Sequence, residues 1–196
     1  MDKLKQLAKE NNGLLKYSDL LENNYSKREV GKLVENNTIR RVARGYYYHK
    51  DFTTDNMFLL QNQNNSIVYS HETAAYLHNL TDRFPRKLSM TMIHGSRIRE
   101  INSFNVFYVN ASVHEMGIIT MKNNLGNDVV VYDKERTIFD LIRSKNRVEL
   151  QVYQDSIRNY FRNKTNLNRL SQYAKELNIL NEVYEIALLF QDDKEI

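Results

Sequence analysis

An α+β fold in two parts, a small N-terminal domain over residues 1–50 and a larger one over 51–196, is what the sequence predicts, and three observations carry the prediction. Positive charge is confined to one end, since residues 1–50 hold 11 Lys and Arg against 6 Asp and Glu while the remainder holds 17 against 18. Helix-period and strand-period patterns interleave within the first fifty residues, whereas after Asp51 several short alternating segments run in succession and give way to a helical C-terminal part. At 196 residues the chain is long enough for one small core and one larger core.

The basic end is organised around Ser26 to Lys50, SKREVGKLVENNTIRRVARGYYYHK. Ser26 followed three residues later by Glu29 forms a capping box, in which each side chain satisfies an orphan backbone N–H, so a helix starts at Lys27. Tyr25 closes over Val30 as a hydrophobic staple, and Val30, Leu33 and Val34 fall on one face at helical spacing. Lys27, Arg28 and Lys32 are left on the other side. Gly31 costs about 1 kcal/mol relative to alanine inside a helix, and marks either a close backbone approach to a partner or a weaker helix. Asn36-Asn37 stops the helix. Thr38 to Val42 then alternates as a strand, Ala43-Arg44-Gly45 turns, and Tyr46-Tyr47-Tyr48 returns, which places Arg40, Arg41 and Arg44 on one small hairpin.

Upstream, Leu4, Leu7 and Ala8 mark a short amphipathic helix over Lys3 to Asn11, ended by Asn12-Gly13. Leu14-Leu15 reads as a strand stub that pairs with the hairpin. Tyr17 to Glu22 reads as a second helix capped by Ser18, and Asn23-Asn24 turns into the third. Helix, strand stub, helix, turn, helix, hairpin is the order of a winged helix-turn-helix, whose second helix of the motif enters the DNA major groove.

In the larger part, Met57 to Leu60 is a brief apolar helix, Ile67 to Tyr69 a short strand, and Ser70 caps a helix over His71 to Asn79. Leu88 to Ile93, Phe104 to Val109, Ile118 to Met121 and Val129 to Tyr132 follow as strands, and their succession predicts a mostly antiparallel sheet over 67–132. Asp133 starts the helix DKERTIFDLIRS, whose apolar stripe is Ile138, Phe139, Leu141 and Ile142. Three more helices are expected, at Val148–Phe161, Leu167–Leu177 and Leu180–Phe190, with a fraying tail QDDKEI.

The chain resembles AbiEi-family antitoxins of type IV toxin–antitoxin and abortive-infection systems. The hairpin IRRVARGYYYH, then SHETAAYLHNL, then VYDKERTIFDLIR carry the likeness, in that order and over nearly the whole chain. The resemblance implies a transcriptional autorepressor that binds its own promoter through the winged helix. It also implies a C-terminal domain that counteracts a nucleotidyltransferase-like toxin without a stable complex.

On this basis the candidate DNA-binding residues are Ser26, Lys27, Arg28 and Lys32 on the helix and Arg40, Arg41, Arg44 and Tyr46 on the hairpin. Arg28 or Lys32 is suited to guanine O6 and N7, the others to phosphates, and the hairpin arginines to the backbone or an adjacent minor groove. Of the three tyrosines, Tyr46 and Tyr48 share one strand face and Tyr47 takes the other, so one set is expected in the core while the other is left for sugar-phosphate. Promoter duplex, with inverted repeats if protomers bind in pairs, is the expected partner. Arg83, Arg86, Lys87, Arg97 and Arg99 bracket the strand at Leu88 and form a candidate second basic surface, or else solvated strand ends. Arg143, Lys145 and Arg147 follow a helix C-terminus, where positive charge is favoured locally. The runner-up function is a winged-helix protein-interaction module that binds no DNA.

No catalytic group, metal or cofactor is expected. His94-Gly95-Ser96 is not followed by the paired aspartates that nucleotidyl transfer requires. His71 and His78 lie seven apart, but HETAA is not a zinc-binding H-E-x-x-H. Asp128 lacks the Glu-x-Lys partner of a metal-dependent nuclease, since Glu135 is followed by Arg136 and Thr137. The chain has no cysteine, which excludes a disulfide framework and thiolate zinc, and a cytoplasmic, non-membrane protein is the default expectation.

Overall fold

A computed structural model describes residues 3–163 and 166–190; the expected fraying tail lies outside the described residues. The chain divides into two compact units, Met1–Leu59 and Leu60–Ile196.

The first unit contains α1 (Lys3–Glu10), β1 (Leu14–Lys16), α2 (Tyr17–Glu22), α3 (Lys27–Glu35), β2 (Ile39–Ala43) and β3 (Tyr46–His49). The three strands form an antiparallel sheet in the order β1-β3-β2, so the stub at Leu14 does pair with the hairpin. Leu4, Ala8, Leu15, Leu20, Val30 and Ile39 make one core between the helices and one face of this sheet. Leu14, Tyr48 and Leu59 make a smaller cluster that includes Val42 and Tyr46. That second cluster explains why the unit runs past residue 50. The chain crosses the back of the sheet, the Tyr48 hydroxyl donates to the Asp55 carbonyl at 3.3 Å, and the first half of α4 (Asn56–Gln63) supplies Leu59. Ser18 is not the cap of α2. Lys16 holds that position, because β1 runs straight into the helix, and the Ser18 hydroxyl donates to its neighbour Asp19 at 3.0 Å.

The larger unit continues with β4 (Val68–Tyr69), α5 (His71–Leu77), β5 (Ser89–Ile93), β6 (Asn105–Val109), α6 (Ala111–His114), β7 (Ile118–Lys122) and β8 (Asp128–Tyr132), then α7 (Lys134–Arg143), α8 (Leu150–Arg162), α9 (Leu167–Glu176) and α10 (Leu180–Leu188). Its five strands are ordered β6-β5-β4-β8-β7. The sheet is mixed rather than mostly antiparallel: β4–β5 and β7–β8 are antiparallel, but β4–β8 and β5–β6 are parallel. The physical reason lies in the connections. Only β7 and β8 are joined by a tight turn, while residues 94–104, with a 3-10 turn at Ile101–Ser103, are long enough to return the chain to the start of its own strand.

The helical core is built on α7. Its stripe, Ile138, Phe139, Leu141 and Ile142, packs with Val152, Ile157, Tyr160 and Phe161 of α8, with Leu170, Tyr173 and Ala174 of α9, and with Val183 of α10. Asp133 caps the helix by accepting from the Arg136 N–H at 2.7 Å, and its other oxygen accepts from the Tyr173 hydroxyl at 2.8 Å and pairs with Arg169 at 2.7 Å. One carboxylate thereby ties α7 to α9. Arg136 is fully buried, with its guanidinium bonded to Asp140 at 3.1 Å and to the carbonyls of Val113 and Met116 at 2.7 and 2.9 Å, 4.2 Å over the Tyr132 ring. Gly117 makes room for it: a Cβ at Gly117 would sit 2.9 Å from the Arg136 Cβ, on a backbone with φ of +81°. Ser70 stands before α5 but makes no capping bond, because its hydroxyl is engaged by His71 and Thr91.

Candidate nucleic-acid interface

The α3 helix starts as its sequence dictates. The Ser26 hydroxyl accepts from the Glu29 N–H at 3.3 Å and donates to the Glu29 carboxylate at 2.7 Å, and that carboxylate also accepts from the Ser26 N–H at 2.8 Å. These bonds hold the Glu29 carboxyl below its usual range, with Lys32 adding a smaller pull. Ser26 is therefore committed to the cap, which leaves it a positioning role at the interface. At ~100° per residue, Val30, Leu33 and Val34 define the inward arc, and Arg28, Gly31, Lys32 and Glu35 the outward one, with Lys27 at its edge. Lys27, Arg28 and Lys32 are exposed, and among the described residues they make no ion pair or side-chain hydrogen bond. A Cβ at Gly31 would meet open space, so the glycine is not demanded by packing within the unit.

Lys27 and Arg28 also occupy the first turn, the positive end of the helix dipole, where each cation is disfavoured by a few tenths of a kcal/mol or more. A merely solvated helix face gains nothing from cations placed there. An external anion would convert that cost into binding.

The hairpin turns at Arg44-Gly45, with Gly45 at φ +80° and nothing within 4 Å of a Cβ there. The register pairs Arg40 with Tyr48 and Arg41 with Tyr47, and a bulge follows between Arg41 and Ala43. Directly paired side chains share a sheet face. Tyr47 packs with the helix-side core and Tyr48 with the Leu14–Leu59 cluster, so Arg41 and Arg40 lie on opposite faces. Arg41 is on the side that carries α3, with Arg44 at the tip. Arg40 is on the far side, its guanidinium donating to the Thr54 hydroxyl. The hairpin thus divides its arginines between two faces. Tyr46 also departs from expectation, being half-buried against the Leu14–Leu59 cluster, since strand segments on both faces of this small sheet are packed.

The second basic group separates as well. Arg83, Arg86 and Lys87 precede β5, whereas Arg97 and Arg99 follow it, a strand length of roughly 17 Å away. Arg83 pairs with Glu149 at 3.4 Å, and Lys87 donates to the Asn102 carbonyl at 2.7 Å. Arg86 and Lys87 share their groove with Glu72 and Glu149, so its charge is mixed. His71 and His78 are engaged apart, His71 with Ser70 and Ser144 and His78 donating to the Tyr132 carbonyl at 2.7 Å. Among the described residues no group of three or more His, Asp or Glu is placed to hold a metal ion, and no helix is long and apolar enough to cross a membrane.

No family model and no curated protein matches the chain. A solved structure does. The crystal structure of the RV2827C protein from Mycobacterium tuberculosis is similar with a TM-score of 0.65 at 10% identity, over 96% of this chain and 74% of that one. At that identity the likeness establishes the fold. The sequence pattern missed the residues around the C-terminal end of α7, where His71, Asp140, Arg143 and Arg147 come together. The Arg136-to-Asp140 spacing of four was the available signal, because it places a guanidinium and a carboxylate on one helical face.

Proposed function

We propose that the protein is a DNA-binding transcriptional autorepressor that also serves as the antitoxin to a nucleotidyltransferase-like toxin. The carrying observation is the set of exposed, unpaired cations Arg28 and Lys32 on the outer arc of α3, with Lys27 at its edge and Arg41 and Arg44 on the adjoining side and tip of the hairpin. In this reading α3 lies in the major groove with its N-terminal half toward the bases. Arg28 or Lys32 donates to guanine O6 and N7, and Gly31, between them, lets the helix backbone approach closely. Lys27, Arg41 and Arg44 neutralise phosphates. Arg40, on the far face, contributes to long-range attraction. The resemblance to AbiEi-family antitoxins supports autoregulation of the chain's own promoter and assigns toxin counteraction to the larger unit without a stable complex.

The test is a mobility-shift titration of the full chain on the duplex upstream of its own reading frame, against scrambled duplex. Specific retention that fails in an Arg28→Ala variant supports the proposal. Equal retention of both duplexes removes the repressor role, and absence of any duplex binding leaves a protein-interaction module. For the antitoxin role, a nucleotidyltransferase-like toxin is expected in a neighbouring reading frame and co-expression of the chain with it to restore growth; failure of either counts against that half.

A further inference from the structure

The larger unit contains a cleft of about 300 Å³ between the β5–β6 edge and the C-terminal end of α7, lined among others by His71, Thr91, Tyr108, Arg143, Ser144 and Arg147. We propose that this cleft binds a small phosphate monoester that also carries a hydroxyl, such as a sugar phosphate.

Three observations converge on it. The first is a histidine held more firmly than a core residue needs. His71 sits at φ +48°, a left-handed backbone that is uncommon outside glycine and that histidine tolerates better than most. Its ring is stacked on Phe107 with centroids 3.4 Å apart and planes at 10°, with Nδ1 2.9 Å from the Ser70 hydroxyl and Nε2 3.1 Å from the Ser144 hydroxyl. Thr91 in turn donates to Ser70 at 2.9 Å. The result is a line of hydroxyls and imidazole that ends at Ser144, on the lip of the cleft. Burial, and after it the guanidiniums of Arg136, Arg147 and Arg143, push the His71 pKa well down, so the ring is a neutral hydrogen-bonding group.

The second observation is charge. Arg143 and Arg147 converge on the same cleft, and among the described residues neither forms an ion pair. Arg147 is oriented, its guanidinium lying 4.4 Å over the Phe107 ring that also carries His71. A guanidinium keeps its proton at any ordinary pH, and the one carboxylate in the lining, Asp140, is already bonded to Arg136, so an external anion would favour the two at the opening. Position past a helix C-terminus accounts for a basic residue in this stretch. It does not account for two lining a cleft, one of them fixed on an aromatic face.

The third observation is an unmet acceptor. Asp140 is in the wall of the cleft, one oxygen bonded to Arg136, and its Oδ2, like the Arg136 Nη2, is buried without a hydrogen-bond partner among the described residues. A buried acceptor left in that state is expensive, and a ligand donor would relieve it. An anion for the two arginines and a hydroxyl for Asp140 define the ligand. Phosphate suits the donors better than carboxylate does, because four donor groups, two guanidiniums, the Ser144 hydroxyl and the Asn146 amide, find more acceptor positions on the three terminal oxygens of a monoester than on the two of a carboxylate.

This proposal does not depend on DNA binding. The test is calorimetric titration of the full chain with ribose 5-phosphate, with inorganic phosphate and with ribose. Ribose 5-phosphate is expected to bind, inorganic phosphate more weakly, and ribose not at all. Arg143→Gln and Arg147→Gln, both at exposed positions, are each expected to weaken ribose 5-phosphate about tenfold or more while the circular-dichroism melt stays in place. Asp140→Asn is expected to narrow the gap between ribose 5-phosphate and inorganic phosphate. No binding of either phosphate compound at millimolar concentration overturns the proposal. So does an affinity that is unchanged in both arginine variants, or displacement of the ligand by duplex DNA alone.

Discussion

Arg28 and Arg136 both stand in the first turn of a capped helix, at the second position of α3 and the third of α7, and their surroundings could hardly differ more. Arg136 is withdrawn from solvent, bonded to Asp140 within its own helix, and its bonds to Val113 and Met116 tie that helix to α6 and the turn after it. Arg28 is exposed, at the end of the helix dipole that disfavours it, with no partner among the described residues. One cation is consumed by the fold and the other is left over from it. The difference separates two kinds of basic residue that composition counts alike, and the proposed DNA-binding surface of the small unit is built from those that its own packing leaves unused.

The largest expected effect breaks this contrast from the structural side. Arg136→Leu leaves Asp140 buried and uncompensated, and is expected to destabilise the larger unit by about 3–5 kcal/mol in a urea melt. The double variant Arg136→Leu, Asp140→Leu should recover much of that loss, because the pair is then replaced by apolar bulk. A double variant no better than the single would show that the bonds to Val113 and Met116 dominate.

From the functional side, Arg28→Ala is expected to leave stability within about 0.5 kcal/mol of the parent. The same change should weaken specific duplex binding by about 1–3 kcal/mol and relax the preference at one base pair. A loss of stability comparable to that of Arg136→Leu would dissolve the contrast.

Histidines sharpen it at lower amplitude. Burial, with the surrounding guanidiniums after it, holds His71 well below its ordinary value of 6.5, and burial lowers His78 as well, opposed by its bond to the Tyr132 carbonyl. Below the ordinary value each therefore holds fewer protons folded than unfolded, His71 the more so. Their contribution is fully present above the ordinary value and is lost as pH falls below it, at a slope of up to about 1.4 kcal/mol per pH unit for each histidine. The larger unit should accordingly melt earlier between pH 6.5 and 5, and His71→Gln should flatten that dependence.

Gly31→Ala is the smallest and most pointed change. With open space around a Cβ, the helix should gain up to about 1 kcal/mol. If the glycine is kept for close approach to a duplex, affinity falls while stability rises. A rise in both would return Gly31 to the status of a weak point in the helix.

Most of the element order was legible in the sequence, because capping boxes, helical spacing and alternation are local signals. Ser26 with Glu29 predicted the start of α3 to the residue, and the helix expected from Asp133 begins one residue later, with Asp133 as its cap. Strand direction was not legible, since the pattern in FNVFYV is the same whether β6 runs parallel or antiparallel to β5. The helix face was legible at α3, where the apolar residues fix it. On the hairpin, IRRV placed two arginines in adjacent positions, and period 2 already required that they point apart. What hid this is that both faces of so small a sheet are packed, so no side looked like solvent. Of the cleft at His71 only the Arg136-to-Asp140 spacing was legible, because its residues come from α5, β5, β6 and the end of α7, which the mixed strand order brings together.

The most direct test of the unused cations is the salt dependence of duplex affinity for the full chain. With one of Arg28 and Lys32 on a guanine, the other joins Lys27, Arg41 and Arg44 on phosphates, and these four predict a slope of log affinity against log salt of about −3.6 per protomer, with a reduction of about 1 when Arg44 is replaced by alanine. A slope near zero, or a slope that Arg44→Ala and Lys27→Ala leave unchanged, would contradict the account.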